Sequence, residues 1–289
     1  DYDKGEYIIV NKWKNAEQRY NSEHASVLPR MWSGEHAENY MMFTGLLDFR
    51  IHPDYQMENQ VRQLVNEFKN EVAQGKVDYE DYHNFLKQFG RDFLIIEKPS
   101  FGDNLYYMMD YQLGYMYWRY FMWNFSGRQD DIQGKYDDLH GNWISGIDVI
   151  DEAHLGMSQD NLPSDVANNK SRNTYYMLPF ILGIIGFLFV LSRDPKRFWV
   201  LLVFFLFTGL AIQFYTNVRP FEPRERDYSV VGSFYVFAIW IGFGAYAIFD
   251  FLRKFTSSKF LAPAVTVVCL ILVPGILAAE NWDDHDRSE

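Results

Sequence analysis

Between two long apolar runs lies the stretch NVRPFEPRERDYSVVGSF, in which Arg219, Glu222, Arg224, Glu225, Arg226 and Asp227 place six charges of alternating sign in nine residues. Guanidinium forks at Arg219, Arg224 and Arg226 can grip a phosphate through paired hydrogen bonds, while Glu222, Glu225 and Asp227 hold those forks or accept sugar hydroxyls. Pro220 and Pro223 restrict the backbone between them. The same alternation also suits a self-neutralising solvated loop, and both readings stand on the residues alone. A second polar string, ENWDDHDRSE at 280–289, carries Asn281, Asp283, Asp284, His285 and Arg287, which can face the same region. Its Asp-Asp-His order suggests a divalent cation, but three adjacent side chains converge only across a tight turn, so no metal is expected. Tyr228 and Trp282 offer rings on which a sugar can stack.

Such a string needs elements that bring it to a surface. Four apolar runs, Tyr175–Leu191, Phe198–Tyr215, Val230–Leu252 and Phe260–Ala279, come close to or exceed the roughly 20 residues that cross a hydrocarbon core. Pro179, Pro263 and Pro274 are compatible with helices in lipid, where neighbours satisfy the freed carbonyls. The mean hydropathy of −0.25 conceals these runs because the polar residues are concentrated in the first part of the chain. Of the net charge of −11, all falls within residues 1–172, where 28 Asp and Glu face 17 Lys and Arg; residues 173–289 hold ten of each sign. So acidic a domain excludes nucleic acid as a partner.

Orientation follows from the loops, since Lys and Arg accumulate on the cytoplasmic side. Arg193, Lys196 and Arg197 occupy one loop and Arg253, Lys254 and Lys259 the other. Both are therefore expected in the cytoplasm, with residues 1–172, the charged string and the tail from 281 outside. Three arginines at mid-bilayer would cost roughly 8–10 kcal/mol on insertion scales, which puts the string at the interface. Residue 1 is Asp and no short apolar export signal precedes the acidic region, so an upstream part carrying a signal or earlier spans is expected. Cys269 lies inside the last run and allows no disulfide framework.

Residues 1–100 read as a mostly helical extracytoplasmic region. Ile8–Val10 is a candidate strand and PRMWS at 29–33 a turn. Met57, Val61, Leu64, Val65, Phe68 and Val72 fall at helical spacing, and Tyr82, Phe85, Leu86 and Phe89 resume it after Gly75, which predicts a helical hairpin with Asp78 as a cap. In residues 101–172 the aromatic and Met-rich run Tyr106–Phe125 is interrupted by Asp110, Gln112 and Arg119, which predicts an interfacial amphipathic helix rather than a span. An aromatic-rich core helix is the alternative. Arg119, Asn124 and Arg128 are its candidate ligand contacts, and GNWISGI beyond it adds Trp143 and amides suited to sugars. The fold expected is mostly α, an integral membrane protein with four spans over 173–280.

The strings YQLGYMYWRYFMWNFSGRQDDIQG, GNWISGI, RPFEPRERDYSVVGSFYVFAIWIGFG and ENWDDHDRS together resemble the C-terminal membrane half of glycosyltransferase family 117, a bacterial family common in Bacteroidetes. That family is similar to the animal protein O-mannosyltransferase of plexin-type IPT domains, and the resemblance covers about Pro29 to Ser288. It implies a multi-span GT-C glycosyltransferase whose donor is a polyprenyl-phosphate-linked sugar and whose acceptor is an extracytoplasmic protein Ser or Thr, or a glycan. It also implies a carboxylate on the first extracytoplasmic loop as general base, with positive groups stabilising the departing phosphate. No match to that first-loop motif occurs. DYDKGEY at 1–7 is acidic but leads into no span, so the base is expected outside this chain. Side-chain chemistry, not a position-by-position match to the family, makes Arg219, Arg224 and Arg226 the candidate donor contacts; on the resemblance the surround is membrane lipid, in the inner (cytoplasmic) membrane of a bacterium, with no firm cofactor. The other class left open is a non-catalytic membrane anchor or scaffold of an envelope complex. A transporter would need intramembrane polar residues, and Gln213 and Asp250 are too few and too near the ends.

Overall fold

A computed structural model describes residue 31 and residues 36–133, 135–221 and 227–282, with the backbone alone at Asp227. The candidate strand Ile8–Val10 and most of PRMWS lie outside the described residues. The described part is mostly helical, with helices long and apolar enough to cross a membrane at its C-terminal end.

The hairpin forms as its spacing requires. Helix α1 (Asn59–Ala73) buries Val61, Val65 and Phe68, and α2 (Tyr79–Phe89) buries Tyr82, Phe85 and Leu86 against them. The Phe68 and Phe85 rings stack at 3.7 Å. Gly75 makes the turn at φ +68°. The Asp78 carboxylate accepts from the Asp81 amide at 2.8 Å, so α2 starts on its expected cap. What the spacing does not reveal is a two-stranded antiparallel ribbon, β1 (Phe49–Ile51) and β2 (Leu94–Ile96), that clasps the hairpin with Phe49 opposite Ile96. Phe49, Leu94 and Ile96 complete one core with the two helices.

Ser100 and Asp103 cap each other's backbone in a reciprocal box and start a long aromatic helix: α3 (Phe101–Tyr107), a π-helical stretch at Met108–Arg119, and α4 (Tyr120–Phe125). Its polarity is inverted relative to a water-soluble helix. Gln112 and Arg119 are buried, whereas Phe101, Leu105, Tyr106, Met109 and Trp118 are exposed. The other buried face carries aromatic side chains, so the helix packs inward on most sides instead of lying with one wet face and one apolar one. Phe121 and Phe125 reach Phe237 at 4.7 and 4.6 Å, which joins α4 to the apolar bundle.

Among the described residues, three helical stretches meet the length and composition of a span: Pro195–Thr216, Tyr228–Leu252 and Leu261–Glu280. The first of the four expected runs folds as a shorter apolar helix, α6 (Leu178–Arg193), because Tyr175 to Met177 are taken up by a turn with positive φ at Tyr176 and Met177. The stretch Pro195–Thr216 divides into α7 (Pro195–Thr208) and α8 (Leu210–Thr216) at Gly209, where an added Cβ would stand 2.5 Å from the Tyr117 hydroxyl. The break and the close approach of the aromatic helix thus share one cause, a residue without a side chain. Helix α9 (Asp227–Leu252) is the centre of the bundle, and α10 (Leu261–Leu270), a π turn at Ile271–Gly275 and α11 (Ile276–Glu280) complete the last stretch.

Helices α6 and α9 approach closely through glycine, as packed helices in lipid do. A Cβ on Gly186 would lie 1.7 Å from the Trp240 carbonyl oxygen, and one on Gly244 would lie 2.0 Å from that of Leu182. Both basic loops lie at the same end of this pair. Asp250, buried at the end of α9, pairs with Arg193 at 2.8 Å and Arg253 at 2.6 Å. At the other end the Asn281 amide donates to the Tyr175 hydroxyl at 2.9 Å, and the Glu280 carboxylate accepts from the Thr174 amide at 3.1 Å. Asn217–Phe221, the start of α9 and the end of the last helix therefore share the end that bears the acidic region.

Candidate functional site

The site is built on a column of tyrosines. Tyr107, Tyr111 and Tyr115, one helical turn apart, stack at 5.3 and 5.6 Å, and the Arg119 guanidinium caps the column 4.1 Å above the Tyr115 ring. On one side the column anchors the start of the charged string. The Tyr107 hydroxyl and the Gln112 amide donate to the Val218 carbonyl, Gln112 also donates to the Asn217 side chain at 2.9 Å, and the Phe221 amide donates to the Tyr111 hydroxyl at 3.0 Å. Arg219 is exposed there and, with His36, Tyr40 and Phe221, borders a small cavity of about 180 Å³.

On its other side the column forms one wall of a larger cleft of about 460 Å³. Asp110, Tyr115, Trp118 and Arg119 come from the helix; Tyr136, Asp137, Asp138, Asn142 and Trp143 come from the loop that follows it; His154 comes from α5 (Asp148–Leu155). Tyr136 sits in the left-handed region at φ +53°, a conformation that costs on the order of 1–3 kcal/mol for a residue with a side chain. It is held there at both ends, because its amide donates to the Tyr115 hydroxyl at 3.0 Å and its own hydroxyl donates to the Asp110 carboxylate. Burial, and after it the Asp110 carboxylate, push the Tyr136 phenol above its ordinary pKa, so it stays a donor.

The loop is fixed by buried polar groups. Asp130 accepts from the amides of Ile132 and Gly141, each at 2.9 Å, and faces His140 Nδ1 at 3.1 Å. Asp151, on α5, accepts from the Ser145 amide at 2.6 Å, the Ser145 hydroxyl at 2.7 Å and the Gly146 amide at 2.8 Å. Replacing Asp151 with alanine strands these three donors and is expected to lower stability by about 2 kcal/mol, read as a fall in the thermal midpoint of the detergent-solubilised protein. Arg119, 4% exposed, donates to the carbonyls of Tyr115 at 3.1 Å and of Gly141. Burial presses its pKa down and the surrounding tyrosines and Asp130 press it back. His154 stacks on Trp143 at 4.1 Å, and burial pushes its pKa below the ordinary value against the pull of Asp151 and Asp138, which leaves the imidazole neutral at pH 7.

The residues singled out by sequence do not all share one place. Arg119 and Trp143 meet in the cleft. Arg128 bonds to the Asn281 side chain and lies 5.7 Å from the Trp123 ring, tying the last helix to the loop. The Asn124 amide donates to the Tyr120 carbonyl of its own helix at 2.7 Å. Tyr228 and Trp282 are each 70% exposed and away from the cleft lining. Glu222, Arg224, Glu225 and Arg226, the side chain of Asp227, and Asp283, Asp284 and His285 lie outside the described residues. Asp110, Trp118, Tyr136, Asp137, Asp138 and His154 were not singled out as site residues, although YDDLHGNW at 136–143 concentrates acids, an amide and aromatics in eight positions.

Residues 1–109 match the model of a family of unknown function, DUF8416. The matched stretch ends one residue before Asp110, so the cleft and the apolar helices lie beyond it. No curated protein and no solved structure matches the chain.

Proposed function

We propose that this chain is part of an integral-membrane glycosyltransferase of the GT-C type, which moves a sugar from a polyprenyl-phosphate donor to an extracytoplasmic acceptor, most simply a protein Ser or Thr hydroxyl. The observation that supports it best is the anchoring of Asn217, Val218 and Phe221 on the tyrosine column, at the end of the apolar helices remote from both basic loops. With those loops in the cytoplasm, the charged string stands at the outer boundary of the inner membrane, where a lipid-borne phosphate lies. Arg219, Arg224 and Arg226 would hold that phosphate, and Glu222, Glu225 and Asp227 would orient them.

In the transfer itself the acceptor oxygen bonds to the anomeric carbon, the bond from that carbon to the phosphate oxygen breaks, and the acceptor proton passes to a base. No residue of this chain is assigned as that base. Paired guanidinium groups lower the barrier by stabilising charge on the departing phosphate. Transfer of radiolabelled sugar from a polyprenyl-phosphate donor, measured in membranes carrying the full-length gene product, tests the reading. Arg226→Ala is expected to reduce transfer by about a hundredfold with membrane insertion unchanged. Unaltered transfer in that variant would remove the assignment, and no transfer by the unmodified protein would favour the anchor or scaffold instead.

A further inference from the structure

We infer that the cleft between the aromatic helix and the 136–143 loop binds a neutral saccharide through stacking on Trp118 and Trp143 and hydroxyl contacts to Asp110 and Asp138. Its volume of about 460 Å³ falls in the range of roughly 300–1,000 Å³ that small-molecule sites occupy. Its walls are chemically unequal. Trp118, Trp143 and the tyrosines supply apolar ring surface, and the indole of Trp118 is 46% exposed. Carboxylates at Asp110, Asp137 and Asp138 supply acceptors; Asp137 already serves the amides of Leu139 and His140, at 2.9 and 2.8 Å.

Charge narrows the ligand class. Three carboxylates in the lining oppose a phosphate or a carboxylate ligand, and the single buried Arg119 guanidinium offsets only part of their charge, which makes a quaternary ammonium the competing ligand that the test must include. A molecule that is uncharged, rich in hydroxyl donors and apolar on one face satisfies both walls, and a pyranose has that form. The strained Tyr136, fixed through Asp110, keeps one acceptor wall preorganised before any ligand arrives. This inference deepens the transferase reading by giving the transferred sugar or the acceptor glycan a place next to the charged string, yet it concerns binding alone.

Saturation-transfer NMR on the full chain in nanodiscs, with methyl hexopyranosides and their disaccharides as probes, tests it without requiring turnover. Saturable binding is expected, weakened about tenfold in Trp118→Ala and in Asp138→Asn. Arg62→Ala, on the exposed face of α1 and outside the cleft, should leave it unchanged. Persistent binding beside an absence of sugar transfer would sustain this site and refute only the transferase. No saturable binding at about 10 mM probe, binding by both cleft variants as tight as that of the wild type at wild-type thermal stability, or preference for tetramethylammonium over every saccharide would each overturn it.

Discussion

Gly186→Val should leave little of the bundle folded. A Cβ at that position would stand 1.7 Å from the Trp240 carbonyl oxygen and 2.6 Å from the Gly244 amide nitrogen, and both neighbours are backbone. A crowded side chain can rotate away; a helix backbone can only move as a unit. Overpacking where side chains yield costs about 1–3 kcal/mol, and here the expected loss is at the top of that range or beyond. Thermal unfolding in detergent reads the effect. The control is Gly242→Ala on the same helix, where an added Cβ meets nothing within 4 Å. That variant should match the wild type or gain about 0.5–1 kcal/mol from helix propensity. Wild-type stability in Gly186→Val would contradict the close packing of α6 against α9, and with it the geometry that sets the acidic region at one end of the spans.

Arg119→Met removes the second keystone. The guanidinium is buried, lies against the Tyr115 ring and donates to two carbonyls, one in its own helix and one at Gly141 in the loop. Hydrogen bonds from a charged donor are worth about 1.5–3 kcal/mol each, so the loss is expected to be about 3 kcal/mol. Arg119→Lys should recover only part of it, since a single ammonium lacks the fork that spans both carbonyls. The loop should feel this most. Amide exchange at Gly141–Trp143 is expected to accelerate in both variants while the α1–α2 hairpin keeps its protection; unchanged exchange in the loop would show that Arg119 does not hold the cleft.

These two positions also show what the sequence makes legible. Apolar run length located three helices long and apolar enough to cross a membrane and a fourth, shorter apolar helix, and the spacing of Val61, Val65, Phe68, Tyr82 and Phe85 located the hairpin, because each signal is local and regular. Asp78 was readable as a cap for the same reason. The ribbon of Phe49–Ile51 with Leu94–Ile96 was not, since strands of three residues are too short for a period of two to register and their partners are far apart in sequence. The aromatic helix left an interfacial and a core reading open for a physical reason. Over Met108–Arg119 it widens to π geometry, so positions that share a face no longer recur every 3.6 residues, and tyrosine serves equally on buried and wet surfaces. The reciprocal cap of Ser100 and Asp103 has a Ser-x-x-Asp pattern that marks a helix start and was not singled out. The cleft gathers residues from Asp110 to His154, and only the folded loop brings them together.

The sidedness of the charged string is the claim on which the donor assignment rests, and cysteine accessibility tests it most directly. In a Cys269→Ala background, Glu225→Cys should react with a membrane-impermeant maleimide added to intact spheroplasts, whereas Ser257→Cys, in the opposite loop, should react only in inverted vesicles. Labelling of position 225 from the cytoplasmic face alone would place the arginines where no exported carrier presents its sugar, and would contradict the account.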